Sequence, residues 1–115
     1  MKKFEGKVVL VTGAGHGIGK QIAVQFAEQG ANTVIVDYNV EFGTETAEEI
    51  TRDYVKSLFV QADVSKPEDM DHVREKVFEE FGRIDTLVLN AGVAFKKKVN
   101  EFTFEEWNRT ISINL

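Results

Sequence analysis

Four short aliphatic runs, alternating with stretches of helical spacing, constrain this chain more than any other feature. Residues 8–11, 33–36, 58–60 and 87–89 are β-branched, aliphatic or, at Phe59, aromatic, with almost no polar interruption. Strands of that kind are buried on both faces, as in a parallel sheet covered by helices. Between the first two runs, Ile18, Ile22 and Phe26 stand at i, i+4 and i+8, and Gly30 is placed to end the helix they predict. Ala47, Ile50 and Tyr54 mark a second helix, and Met70, Val73, Val77 and Phe81 mark a third that stops at Gly82. Ser65 as N-cap and Glu68 have capping-box spacing for the third helix, and Pro67 falls in its first turn, where a missing N–H is harmless. The alternation predicts an α/β fold, a three-layer, doubly wound parallel sheet of Rossmann type with right-handed crossovers.

Beyond the fourth run the sequence predicts a polar loop holding Lys96, Lys97 and Lys98. A last helix follows, with Thr103 and Glu106 as its capping box and Trp107, Ile111 and Leu115 as its apolar stripe. All 115 residues read as one domain, without repeats, linkers or low-complexity segments. On this reading the sheet is cut after its fourth strand and part of the following helix, which leaves residues 86–90 as an open edge. Leu87, Val88 and Leu89 carry no charge or proline to discourage pairing, so a homo-oligomer is expected through that edge and the last helix.

The chemistry concentrates where the first strand turns into the first helix, at Thr12, Gly13, Ala14, Gly15, His16, Gly17, Ile18 and Gly19. A strand-to-helix turn presents backbone N–H groups and the positive helix end to an anion, and side chains there would block a pyrophosphate. Gly13 suits the tight turn, Gly17 the close approach of the ligand, and Gly19 the contact of helix with strand. Asp37 closes the second strand eighteen positions after Gly19, close to the ~20 expected of an acidic residue that bonds the adenosine ribose. A carboxylate there opposes the 2′-phosphate of NADP. Neither Tyr38 nor His16 supplies the counter-charge that Arg or Lys would, so NAD is preferred over NADP.

The spacing Gly-x-x-x-Gly-x-Gly after Thr12 resembles the cofactor loop of the short-chain dehydrogenase/reductase family. The similarity continues through Asp63 and Val64 after the third strand, Asn90, Ala91 and Gly92 ending the fourth, and Asn114 in the last helix. The resemblance implies hydride transfer to and from NAD or NADP. It also implies that Asp63 meets the adenine amino group, that the Asn-Ala-Gly turn lines the cofactor cleft, and that Asn114 helps hold a proton-relay water. Full members of that family are roughly twice as long and carry a serine and a Tyr-x-x-x-Lys pair. Here the two tyrosines, Tyr38 and Tyr54, are followed four places on by Phe42 and Leu58, so Asn114 is the only remnant of the relay.

A positioned proton donor is worth ~10² to 10⁴ in rate. These residues alone are therefore expected to bind cofactor without turnover. The competing reading is a free-standing NAD-binding or interaction module. A receiver-like domain would want acidic residues where Thr12 and Gly13 stand.

Composition narrows the partners. Fourteen Lys and Arg against nineteen Asp and Glu give a net charge of −5, the wrong sign for binding nucleic acid phosphates. With no cysteine, disulfides, thiolate metal sites and cysteine nucleophiles are excluded, and a cytoplasmic address is the default. No apolar run approaches the ~20 residues that span a bilayer, so no membrane partner is expected. His16 and His72 lack a second ligand at suitable spacing and read as surface imidazoles rather than metal ligands.

Overall fold

β1 (Val8–Thr12) is buried along its whole length and lies inside the sheet. The computed structural model describes residues 2–90 and the backbone of residues 95–98. After β1 come α1 (Gly17–Glu28), β2 (Asn32–Asp37), α2 (Val40–Asp53), β3 (Ser57–Gln61), α3 (Pro67–Phe81), β4 (Thr86–Leu89) and β5 (Phe95–Lys98). The sheet order is β3-β2-β1-β4-β5, and the first four strands are parallel. Each expected strand and helix before residue 90 is present.

Alternate residues of β1 feed two cores, as the two-residue period of a strand requires. Val8 and Leu10 join Val34, Val36, Val60 and Leu87 beneath Met70, Val73 and Val77 of α3. Val9 and Val11 join Ile35 on the opposite face, beneath Ala23 and Ala27 of α1 and Ala47 and Ile50 of α2. The three layers follow from that division.

Five expectations are corrected. The fourth strand is not an open edge, because β5 pairs with it antiparallel, Leu89 opposite Phe95 and Thr86 opposite Lys98. Lys96, Lys97 and Lys98 therefore belong to a strand, not a loop, and the argument for a homo-oligomer through an exposed β4 edge falls away. The buried stripe of α1 is Gly19, Ala23 and Ala27; Ile18 is 72% exposed, while Ile22 and Phe26 are partly buried beside the stripe. Small residues win that face because they let the helix axis come close to the sheet. The N-cap of α3 is Lys66 and makes no side-chain cap bond, since Ser65 turns back to Asp63 instead of forming a box with Glu68. Finally, α2 ends at Asp53, so Tyr54 is its exposed C-cap rather than part of its stripe. Trp107, Ile111 and the rest of the expected last helix lie outside the described residues.

Candidate functional site

Parallel strands bring their carboxyl ends to one side of the sheet, and the strand order reverses direction between β1 and β4. In open α/β sheets the crevice at such a point takes the ligand. Thr12, Asp37 and Asn90 stand at or just beyond the ends of β1, β2 and β4, so the predicted residues converge there.

The glycine loop is held on one side by β4. The Asn90 backbone N–H donates to Thr12 Oγ1 at 2.9 Å, and its side-chain amide reaches Gly13 O at 3.4 Å. Gly13 and Gly17 have φ of 63° and 61°, a conformation that side chains resist. Gly19 packs against Gly13, where an added Cβ would collide with the Gly13 carbonyl and lie 2.7 Å from Asn90 Nδ2. The helix can start this close to the strand only because Gly19 has no side chain.

His16 is the N-cap of α1 but places no side-chain atom on the helix amides. The His16 side chain therefore leaves the first-turn N–H groups uncapped, and nothing lies within 4 Å of the Cβ position of Gly17. An uncapped helix end beside open space suits a pyrophosphate. Ile18 stands exposed next to it.

Asp37 is the most constrained acidic group of the site. It is 7% exposed, and each of its carboxylate oxygens accepts one backbone N–H of the chain itself. Oδ2 accepts the Gly15 N–H at 2.8 Å, and Oδ1 accepts the Asn39 N–H at 2.9 Å in a local turn. His16 Nδ1 lies 3.9 Å from Oδ2, an ion pair when the imidazole is protonated, and its ring contacts Phe42. Each carboxylate oxygen has two lone pairs, so acceptor capacity remains for a ligand hydroxyl. Tyr38 is 71% exposed beside this carboxylate.

At the end of β3, Asp63 accepts both the N–H and the hydroxyl of Ser65 on Oδ1, at 2.9 and 2.6 Å. Those two bonds, helped by Lys66 and opposed by slight burial, hold its carboxyl below the usual range. Val64 packs against the α3-side core. Ala91, Gly92 and Asn114 lie outside the described residues. Among the described residues no cluster of three or more His, Asp or Glu could hold a metal ion.

Sequence reasoning missed Thr46, whose buried hydroxyl donates to Gly15 O at 3.0 Å. It also missed Gly43, which lets α2 lie against the Phe59 ring. Both fall on the Ala47 and Ile50 face of α2, which was the signal available.

The family model described as short chain dehydrogenase matches residues 7–115. The chain belongs to the short-chain dehydrogenase family. It is 44% identical over 97% of its length to an uncharacterized oxidoreductase of Thermotoga maritima, of which it covers 44%. It is 38% identical to a CLA biosynthesis dehydrogenase/reductase of Lactiplantibacillus plantarum, matching all of this chain and 40% of that protein. Among solved structures, the L-sorbose reductase of Gluconobacter frateurii complexed with NADPH and L-sorbose matches 91% of this chain and 40% of its own, at 38% identity and TM-score 0.75. A short chain dehydrogenase of Mycobacterium smegmatis matches the whole chain and 49% of its own, at 36% identity and TM-score 0.76. The chain spans less than half the length of each of these relatives. Short-chain dehydrogenases bind a nicotinamide dinucleotide, and the uncapped helix end with its glycine loop fits that group.

Proposed function

We propose that these residues form the NAD-binding portion of a dehydrogenase that moves hydride between NAD(H) and an alcohol or carbonyl substrate. The bound nicotinamide would supply the hydride chemistry. Gly13, Gly15, Gly17 and Gly19, with the first turn of α1, would hold the pyrophosphate. Ile18 and Tyr38 would flank it, and Asp63 and Val64 would receive the adenine. Asn90, Ala91 and Gly92 would line the cleft, and Asn114 would hold a relay water. Without the Ser and Tyr-x-x-x-Lys groups, these residues alone would bind cofactor but not turn over secondary alcohols. The absence of cysteine favours a cytoplasmic setting.

The observation that carries the NAD preference is the Asp37 carboxylate, fixed at the end of β2 by the Gly15 and Asn39 amides. A ribose diol can donate to it, whereas a 2′-phosphate meets a like charge. Two unit charges ~4 Å apart at an effective dielectric of ~20 repel by ~4 kcal/mol, an upper figure before salt screening. Even a third of that is about tenfold in affinity. Calorimetric titration with NAD and NADP tests the proposal: NAD should bind at least tenfold more tightly, and Asp37→Asn should narrow the gap. Equal or tighter NADP binding by the unaltered protein would refute it. The NADPH of the L-sorbose reductase complex belongs to that protein.

A further inference from the structure

The glycine loop is gripped from a second side, by α2, through a group outside the cofactor loop. Thr46 is fully buried, and its hydroxyl donates to Gly15 O at 3.0 Å across 31 residues of sequence. The N–H of the same Gly15 donates to Asp37 Oδ2 at 2.8 Å, and this bond too is buried. Asp37 Oδ1 takes the Asn39 N–H, and Asn39 in turn caps α2 by accepting the Phe42 N–H at 2.9 Å. The bonds run from α2 through Gly15 and Asp37 and back to the start of α2.

Gly15 has no room for a side chain inside this ring. A Cβ built there would stand 2.8 Å from Asp37 Oδ2, 2.9 Å from Phe42 Cβ and 3.0 Å from Gly43 N. The backbone of residue 15 is thus wedged between the carboxylate and α2. α2 itself can come this near because Gly43 leaves space for the Phe59 ring.

We infer that Thr46 is a positioning residue for cofactor discrimination: by holding the Gly15 carbonyl it aims the Gly15 N–H at Asp37 and so fixes the carboxylate at the ribose end of the site. The inference deepens the proposed NAD preference and rests on it. Without the hydroxyl, the Gly15 carbonyl is released, the Cα of residue 15 shifts away from α2, the N–H on the other side of that Cα loosens its bond to Asp37, and the carboxylate is held less firmly against a 2′-phosphate. Loss of one neutral hydrogen bond, that of Thr46 to the Gly15 carbonyl, is the relevant scale, which makes a ~5- to 10-fold effect the expectation.

Two measurements separate this inference from the function it rests on. Hydrogen exchange of the Gly15 amide, followed by NMR in the cofactor-free protein, reads the clamp itself. It should be slow in the unaltered protein, at least tenfold faster in Thr46→Val, and slow again in Thr46→Ser, which keeps the hydroxyl. A Gly15 amide that exchanges in the unaltered protein as fast as the exposed Gly17 amide would overturn the inference without any variant.

The ratio of NADP to NAD dissociation constants reads the consequence. Thr46→Val should reduce that ratio ~5- to 10-fold, and Thr46→Ser should restore it. A purely structural role would weaken both cofactors equally and leave the ratio untouched, which would refute the positioning role. If Thr46→Val does not fold, Thr46→Ala serves in both measurements. An unaltered protein that does not discriminate between the cofactors refutes the NAD preference and this inference with it. In that case, slow Gly15 exchange would show that the clamp is real but serves packing alone.

Discussion

Replacing Gly19 with alanine tests the packing of the cofactor loop, because two rules predict opposite signs for it. By helix propensity, Gly→Ala inside α1 should stabilise by ~1 kcal/mol. The structure says otherwise. The new methyl would overlap the Gly13 carbonyl oxygen, stand 2.8 Å from the Gly13 carbonyl carbon and 2.7 Å from Asn90 Nδ2, where ordinary contact begins at 3.4 Å. The nearest atom is the backbone oxygen of Gly13, which cannot swing aside as a flexible side chain would, so α1 or the loop must shift to clear it. Overpacking of this kind costs ~1–3 kcal/mol, occasionally more. Overlap with backbone puts Gly19 in the upper part of that range, ~2–3 kcal/mol, so against the propensity gain a net loss of about 1–2 kcal/mol is expected.

Urea denaturation followed by circular dichroism would read it. With a slope of ~1–2 kcal/mol per molar, the midpoint should fall by about 1 M. The useful comparison is Gly17→Ala, where φ is 61° but nothing lies within 4 Å of the added Cβ. That change costs only the left-handed backbone, ~1–2 kcal/mol. Its methyl enters the open space beside the helix end, so NAD affinity should fall without steric damage to the loop. A Gly19→Ala midpoint at or above that of the unaltered protein would refute the close-contact reading of the loop.

Asp85 accepts the Val8 N–H at 2.8 Å, and although burial opposes its charge, Arg83, that amide and Lys7 together hold its carboxyl below the usual value. Its stabilising effect is therefore complete above the ordinary aspartate value of ~3.9 and is lost as pH falls through the lower folded value. Asp85→Asn should flatten that acid limb in urea titrations across pH, and an unchanged limb would count against the pairing. Ser65→Ala should raise the Asp63 carboxyl toward its ordinary value, as followed by carboxyl NMR titration, because the Ser65 hydroxyl bond is the largest cause of its lowering. Ile50→Ala empties a fully buried position under α2 and should cost ~2–5 kcal/mol in denaturant unfolding. A loss below ~1 kcal/mol would mean that α2 packs more loosely than its burial indicates.

The local sequence determined the alternation of strands and helices, the two-faced burial of β1 and β2, and the glycine turn. These depend on side-chain period and on backbone freedom at Gly13 and Gly17, which neighbouring residues fix by themselves. It also placed Asp37 and Asn90 at strand ends, because a parallel sheet sends all such ends to one side. What it left open was decided by contacts between distant segments. Ile18 matched the helical period of Ile22 and Phe26, yet the sheet admits only Gly19, Ala23 and Ala27 at close range, so Ile18 faces outward at the site. Ser65 fitted a capping box, but the Asp63 carboxylate at the end of β3 offered a shorter path to its hydroxyl and N–H. The lysine run 96–98 read as a loop because its charges hide any strand pattern, and only the free hydrogen-bonding edge of β4 makes it a strand. Thr46 and Gly15 are 31 residues apart and share no local pattern. Only the docking of α2 beside the end of β2 brings that hydroxyl to that carbonyl, which is why the clamp on Asp37 belongs to the tertiary structure.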